Sequence, residues 1–161
     1  MEIRHRLRPG DIGRIVYLHG TYYAQTYGWD HTFEAYVAVP LGEFAKRKHD
    51  RERIWLVDSN GELNGELNGS IAIVEANAEE AQLRWLLLMP ELRGRGIGKR
   101  LVQEAIDFSR EKKYSSIFLW TVDGLPESAA LYRAAGFQLT REEPRLLWGA
   151  NVVEQRFDLA L

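Results

Sequence analysis

Residues 93–98 read Arg-Gly-Arg-Gly-Ile-Gly and run straight into Lys99 and Arg100. Glycines at alternating positions let the backbone come close to a ligand with no side chain in the way. The residues that follow, Lys99 to Ile106, carry helical spacing, so the loop opens a helix. The free N–H groups of a first helical turn point outward, and the helix dipole adds partial positive charge there. Before the loop lies an apolar stretch, Leu83 to Met89, which reads as a buried strand ended by Pro90. Strand, glycine turn and helix start make an anion-binding arrangement. Arg93, Arg95, Lys99 and Arg100 surround it with cations. The chemistry these residues point to is capture of a phosphorylated ligand.

Spacing narrows that ligand. A dinucleotide fingerprint needs glycine at the first, third and sixth positions, and counting from Gly94 the sixth is Lys99. A Walker loop needs Lys-Ser/Thr after its last glycine, and here Gly98-Lys99 is followed by Arg100. The pattern that is met is Arg-x-x-Gly-x-Gly, through Arg93, Gly96 and Gly98, with Leu131-Tyr132-x-x-x-Gly136-Phe137 further along. Together these resemble the pyrophosphate loop and the following helix of the GNAT superfamily of acetyl-CoA-dependent acyltransferases. The resemblance implies acetyl-CoA or coenzyme A as co-substrate, with no metal, held by Arg93, Gly94, Arg95, Gly96, Ile97, Gly98 and Lys99. It also implies that the backbone near Leu86, Leu88 and Met89 pairs with the pantetheine arm, one N–H polarising the thioester carbonyl. The side chains of Leu86, Leu87 and Leu88 read simply as core. Tyr132 becomes the acid that protonates the leaving thiolate, a phenol of pKa about 10 serving a thiol of roughly 8.5. The asparagine that the family often places before this tyrosine is Leu125 here, so its contact with the pantetheine arm is not carried over.

An amine nucleophile is mostly protonated at neutral pH, so a carboxylate or a relayed water must take a proton. Gln82 and Arg84 stand on the strand where some members of the family carry glutamate. Glu34, Asp30 and Asp123 are the remaining candidates, each also readable as a solvated surface charge. Glu34 leads because it closes the segment Tyr27-Gly28-Trp29-Asp30-His31-Thr32-Phe33-Glu34, with Tyr22 and Tyr23 before it. In the fold implied by the resemblance this segment overhangs the acceptor, and an aromatic, acidic rim suits a cationic amine. Tyr27, Trp29, Asp30 and Asp123 are therefore the expected acceptor contacts, with Glu34 the expected base. The same segment reads equally well as a hydrophobic hinge between two helices. The functional expectation is acetyl transfer to a primary amine by direct attack in a ternary complex. The alternative is a non-catalytic acyl-CoA sensor or interaction module, which keeps the loop but needs no base.

Bulk properties agree. The 161 residues are the length of one domain, spanning 1–161, and their formal charge of −2 argues against a dedicated nucleic-acid or membrane-surface binder. The expected partner is a small-molecule or peptide amine, with a homodimer left open. The chain has no cysteine, hence no thiolate nucleophile, and its 4 histidines show no metal-ligand spacing. No signal peptide or membrane-length apolar run is visible, which makes the cytoplasm the expected location.

The elements that must position these residues alternate. Glu2 to Leu7 reads as a strand, and Asp11 as the cap of a first helix. A second helix opens near Asp30 with Phe33, Val37 and Leu41 on one face, and Pro40 and Gly42 are expected to kink or split it. Ile54–Val57 and Ser70–Glu75 form a hairpin around the tandem repeat Gly61-Glu62-Leu63-Asn64, Gly65-Glu66-Leu67-Asn68, read as a lengthened loop. Ala81–Met89 is the strand before the glycine loop. The next helix puts Ile97, Leu101, Ala105 and Phe108 on one face and ends near Lys112-Lys113. Ile117–Val122 is apolar on both alternations, as expected of a strand buried on both faces. Pro126 opens a last helix, Gly136 closes it, and Phe137–Leu139 and Val152–Leu159 form two final antiparallel strands. Periodicity gives a mixed α/β chain. The resemblance adds the GNAT fold: a mixed, mostly antiparallel sheet of about seven strands with a central splayed parallel pair and about four helices. Leu7 to Asp11, the Tyr-Gly-Trp-Asp block and the ending from Arg141 onward also resemble acetyltransferase modules fused behind bacterial winged-helix regulators. No winged-helix segment lies in these residues, so that likeness carries no DNA binding.

Overall fold

The computed structural model describes residues 1–59 and 65–161. Its elements run β1 (Glu2–Arg4), α1 (Asp11–Tyr27), α2 (His31–Lys46), β2 (Arg53–Asp58), β3 (Leu67–Glu75) and β4 (Glu80–Leu88). They continue with α3 (Ile97–Glu111), β5 (Ser116–Val122), α4 (Pro126–Ala134), β6 (Gln138–Leu147) and β7 (Ala150–Ala160). One sheet holds all seven strands in the order β1-β2-β3-β4-β5-β7-β6. Every neighbouring pair is antiparallel except β4 with β5. This is the mixed sheet with a central parallel pair that the resemblance implied.

Apolar periodicity puts a core on each face of the sheet. The stripe Ile97, Leu101, Ala105 and Phe108 of α3 packs on Val57, Ile71, Ile73, Leu83, Ile117 and Phe157. On the other face Ile15 of α1 and Phe33, Val37, Leu41 and Phe44 of α2 cover Ile54, Leu56, Ala72 and Val74. That second stripe also explains why α2 is not split at Pro40. Proline in a helix interior costs about 3 kcal/mol, but buried residues on both sides of it, Val37 and Leu41, tie the two halves to one surface.

Other boundaries differ from the sequence reading for local reasons. β1 stops at Arg4, after three pairs with β2, because the Arg4 guanidinium turns toward α1 and His5 Nδ1 bonds to the Ile54 carbonyl. Asp11 is the first residue of α1 and not its cap. Gly10 holds the cap position at φ 94°, and the Asp11 carboxylate accepts from Arg4 and from the Arg8 N–H instead. β3 begins at Leu67, inside the second copy of the tandem repeat, since Leu67 is buried and Asn68 accepts from Arg14. The first copy, Gly61–Asn64, lies outside the described residues. β6 runs on to Leu147. Its side chains are almost all exposed, so no apolar alternation marks it, and backbone pairing with β7 defines it.

The first turn of the chain is tied down by charge. Arg4 donates to Asp58 at 2.7 Å and to Asp11 at 2.6 and 2.9 Å, and Asp58 is fully buried. One guanidinium thus joins β1, β2 and the start of α1. Burial alone would raise the pKa of Asp11, but hydrogen bonds from Arg4 and the Arg8 N–H and their charges outweigh it, and the net shift is downward. A carboxylate depressed in this way stabilises the fold above its unfolded pKa and loses that contribution as pH falls through the folded one. We expect Arg4→Met to cost about 3–5 kcal/mol at pH 7, because it strands two carboxylates. Urea titrations should show that deficit shrinking below about pH 4, where Asp11 can protonate.

Candidate active site

The parallel pairing of β4 and β5 covers only Glu80–Gln82 against Ser116–Phe118, although β4 continues to Leu88 and β5 to Val122. Beyond Gln82 the two strands part and leave a wedge in the middle of the sheet. At the same point β4 carries a bulge. Ala72 faces Arg84 and Ser70 faces Leu87, so Trp85 and Leu86 together oppose Ile71. Trp85 adopts φ 52°, a left-handed conformation that few non-glycine residues take. Its carbonyl is held by the buried Ser70 hydroxyl, which donates to it at 2.7 Å. The bulge also swaps the facing of side chains. Leu83 and then Leu86 and Leu88 pack toward α3, whereas Trp85 joins the core under α1 and α2.

Two cavities meet across this wedge and share Tyr23, Leu86, Leu125 and Ser128. The outer one is walled by Leu86 and Leu88, by Gly94, Gly96, Ile97, Gly98 and Lys99, and by the start of α4. Gly94 and Gly96 take φ 73° and 75°, and Gly96 caps α3 with no side chain on its amides. The first turn of α3 contains no acidic residue. A β-carbon at Gly98 would stand 3.3 Å from Leu131 and 3.4 Å from Leu88, so glycine there lets α3 start close against β4 and α4. The cations divide by duty. Arg93 donates to the Leu88 carbonyl at 2.9 Å and lies 3.4 Å from Glu127, bracing the loop. Arg100 pairs with Glu104 at 2.7 Å, while Arg95 and Lys99 are exposed and have no ion-pair partner among the described residues. Free amides, a first helical turn without acid and two uncommitted cations fit a polyphosphate.

The profile of the acetyltransferase (GNAT) family matches residues 16–137. The chain belongs to that family. Escherichia coli K12 has a similar protein, named as an uncharacterized N-acetyltransferase YjgM, 32% identical over 85 residues; the match covers 52% of this chain and 50% of that protein. The chain thus spans about half the length of the curated relatives it matches. The same fold is seen in a ribosomal-protein-alanine N-acetyltransferase from Brucella melitensis, at TM-score 0.75 and 20% identity over 100% of both chains. A spermidine N-acetyltransferase from Vibrio cholerae, solved with CoA and spermine, superposes at TM-score 0.72 with 22% identity over 99% of this chain and 94% of that one.

Within this GNAT fold the inner cavity lies between the splayed strands and helices α1 and α2. Tyr132 lines it, 6% exposed, and burial pushes its phenol well above the usual tyrosine range. His19 lines it too. Its Nδ1 bonds to the Ile15 carbonyl at 2.8 Å, and burial, only partly offset by that bond, pulls its pKa down to about 4, so the ring is neutral at pH 7. One wall is aromatic: Tyr23 stacks on Trp29 at 5.0 Å, and Trp148 closes on Trp29 and Phe33 at 4.6 and 4.9 Å. Trp148 reaches them from the turn between β6 and β7, where it and Gly149 both have positive φ, and its carbonyl accepts from the Asp30 N–H.

The residues singled out from sequence separate accordingly. Trp29 and Tyr132 line the inner cavity, and Tyr27 lines the outer one beside the glycine loop. The Met89 N–H is already donated to the Asn68 carbonyl at 2.9 Å. Asp30 caps α2 by accepting from the Thr32 N–H at 2.9 Å, and Asp123 accepts from the Gly124 N–H at the end of β5. Glu34 is exposed and lies against Gly20 of α1, away from the lining of either cavity. Sequence reasoning did not anticipate His19, Tyr36, Trp148 or Glu154 in the inner cavity. Only Arg84 carried a signal, as a charge inside an otherwise apolar strand. We expect Ser70→Ala, which leaves the buried Trp85 carbonyl without its donor, to lower stability by about 1–3 kcal/mol in urea unfolding. A smaller effect would mean that the bulge does not depend on this hydroxyl.

Proposed function

We propose that the protein transfers an acetyl group from acetyl-CoA to a primary amine by direct attack in a ternary complex. The observation that carries this reading is the wedge between β4 and β5, flanked on one side by the glycine loop and on the other by an aromatic-walled cavity containing Tyr132. The diphosphate of the donor would rest on the open amides of Gly94 to Lys99, with Arg95 and Lys99 supplying charge. Past the bulge, the unpaired edge of β4 near Leu86 offers backbone groups to the pantetheine arm and an N–H to the thioester carbonyl. With no cysteine in the chain, no acyl-thioenzyme can form, and the amine attacks the thioester directly.

Tyr132 suits the leaving group. Its raised pKa keeps the phenol protonated at any working pH, so it remains a donor. The departing thiolate would leave into the same desolvated place, where burial disfavours its charge and makes a proton donor there useful. The aromatic wall desolvates an entering ammonium and favours its neutral, nucleophilic form. Once the C–N bond forms, the attached nitrogen becomes a strong acid, and even a weak base such as the neutral His19 ring or a water beside it can take its proton. Glu34 lines neither cavity, and no step is assigned to it.

Release of coenzyme A thiol from acetyl-CoA in the presence of primary amines tests the reading. Tyr132→Phe should lower kcat by roughly 10²-fold or more while leaving the affinity for coenzyme A nearly unchanged, as for a contact made in the transition state. Parallel losses in binding and rate would make Tyr132 a packing residue and remove the assigned acid.

A further inference from the structure

Six arginines are partly buried, at 4, 14, 51, 84, 93 and 156. Arg4 meets Asp11 and Asp58, Arg14 meets Glu66, Arg51 meets Glu75, Arg93 meets Glu127, and Arg156 meets Glu80 and Asp158. Arg84 has no acidic partner among the described residues, and it is the one of the six that lines the inner cavity. What surrounds it is aromatic: its guanidinium lies 5.1 Å from the Trp85 ring and 5.9 Å from the Tyr36 ring. The charges that face it give no compensation. Arg47 repels it and is itself bound to Glu52 at 2.6 Å, and the Tyr36 hydroxyl offers a hydrogen bond but no carboxylate. Burial accordingly depresses the Arg84 pKa, with Tyr36 opposing in part. A desolvated cation with no counter-ion is costly, and the guanidinium fork matches a carboxylate in two parallel hydrogen bonds.

Placement says what such a carboxylate would belong to. Arg84 is the second residue past the last β4–β5 pair, Gln82 with Phe118, so it stands near the closed end of the wedge. The acyl donor is read onto the edge near Leu86, two residues further along and just across the Trp85 bulge. The cavity also holds one carboxylate, Glu154, which keeps Arg145 at 3.1 Å. A site with a bare cation, a half-balanced anion and an aromatic wall is complementary to a compact zwitterion.

We propose that Arg84 receives the carboxylate of the acyl acceptor, and that the acceptor is a free amino acid acetylated on its amino group. The proposal rests on the amine acetylation proposed above. In the transfer the amino nitrogen forms the C–N bond as the thioester C–S bond breaks, the nitrogen's proton leaves to base or water, and the thiolate leaves protonated as coenzyme A. The carboxylate only orients and takes no part in bond making.

Matched pairs test it: amino acids and the amines left when their carboxyl group is removed, phenylalanine with phenethylamine and leucine with isoamylamine, for example. Wild-type protein should prefer the amino acid of each pair, and Arg84→Met should lower the ratio of the two kcat/KM values by at least about tenfold. Equal use of both members by the wild type, or a ratio unmoved in the variant, overturns the proposal while leaving acetyl transfer intact. Binding gives a readout that needs no turnover. Trp29, Trp85, Trp120 and Trp148 line the cavity, so their fluorescence should respond to the amino acid in the presence of coenzyme A. That response should be weaker with the decarboxylated amine and should lose its preference in Arg84→Met; a response with no preference overturns the proposal even if no amine is acetylated. Thermal denaturation separates a structural role. Removing an uncompensated cation should leave Tm unchanged or raise it, and a fall would assign Arg84 to holding Tyr36 and Trp85 in place.

Discussion

Beyond Gln82 the parallel pair β4 and β5 comes apart, and the organisation of the cleft follows from that parting. Parallel strands are normally buried and continuously bonded. Here the second half of β4 and of β5 give up their partners in one another, and backbone groups left in a protein interior must be met by something else. β5 still has β7 along its other edge, from Ser116–Ala160 to Val122–Glu154, and β4 still has β3. The sheet therefore stays whole while its centre opens. The Trp85 bulge, anchored by Ser70, turns the free edge so that Leu86 and Leu88 face the glycine loop and Trp85 faces the helices.

Local order was legible in the sequence wherever it depended on neighbours in the chain. The glycine loop, the α3 stripe and the apolar β5 are all set by residues a few positions apart, and they were placed with their roles in the fold. What could not be read arises between distant segments. The bulge depends on Ser70 meeting Trp85, and β6 shows no periodicity because both of its faces are largely exposed. Trp148 joins Trp29 only when the long β6–β7 hairpin folds back over α2. The aromatic run from Tyr22 to Phe33 reads the same whether it lines a cavity or seals a hinge, and it does both: Trp29 and Phe33 are 7% exposed and still form a wall. Acidic residues were the least legible. A carboxylate near a helix start can be a cap, as Asp30 is, or can fall on an outer face, as Glu34 does.

Electrostatics divides the cleft along its length. At the outer end, exposed cations and the open amides of an acid-free helix turn face the cavity, and its one acidic lining residue, Glu127, lies against Arg93, an arrangement that suits phosphate. At the inner end burial governs, keeping the Tyr132 phenol protonated and the His19 ring neutral. Structural pairs take up several of the other charges. Arg93 is the clearest case: it belongs to the motif that suggests phosphate binding, yet its contacts are with Leu88 and Glu127, which fix the loop that presents the amides.

The central claim is that the free edge of β4 and the amides of the glycine loop form one continuous surface for the donor. Amide chemical shifts measured during titration with coenzyme A test it most directly. The account predicts that Leu86 and Gly94 to Lys99 shift together and saturate at one ligand concentration, with β1, β2 and the far ends of α1 and α3 unmoved. Saturation with the loop shifting and Leu86 silent would separate the wedge from the binding site, and shifts confined to other segments would contradict the account altogether.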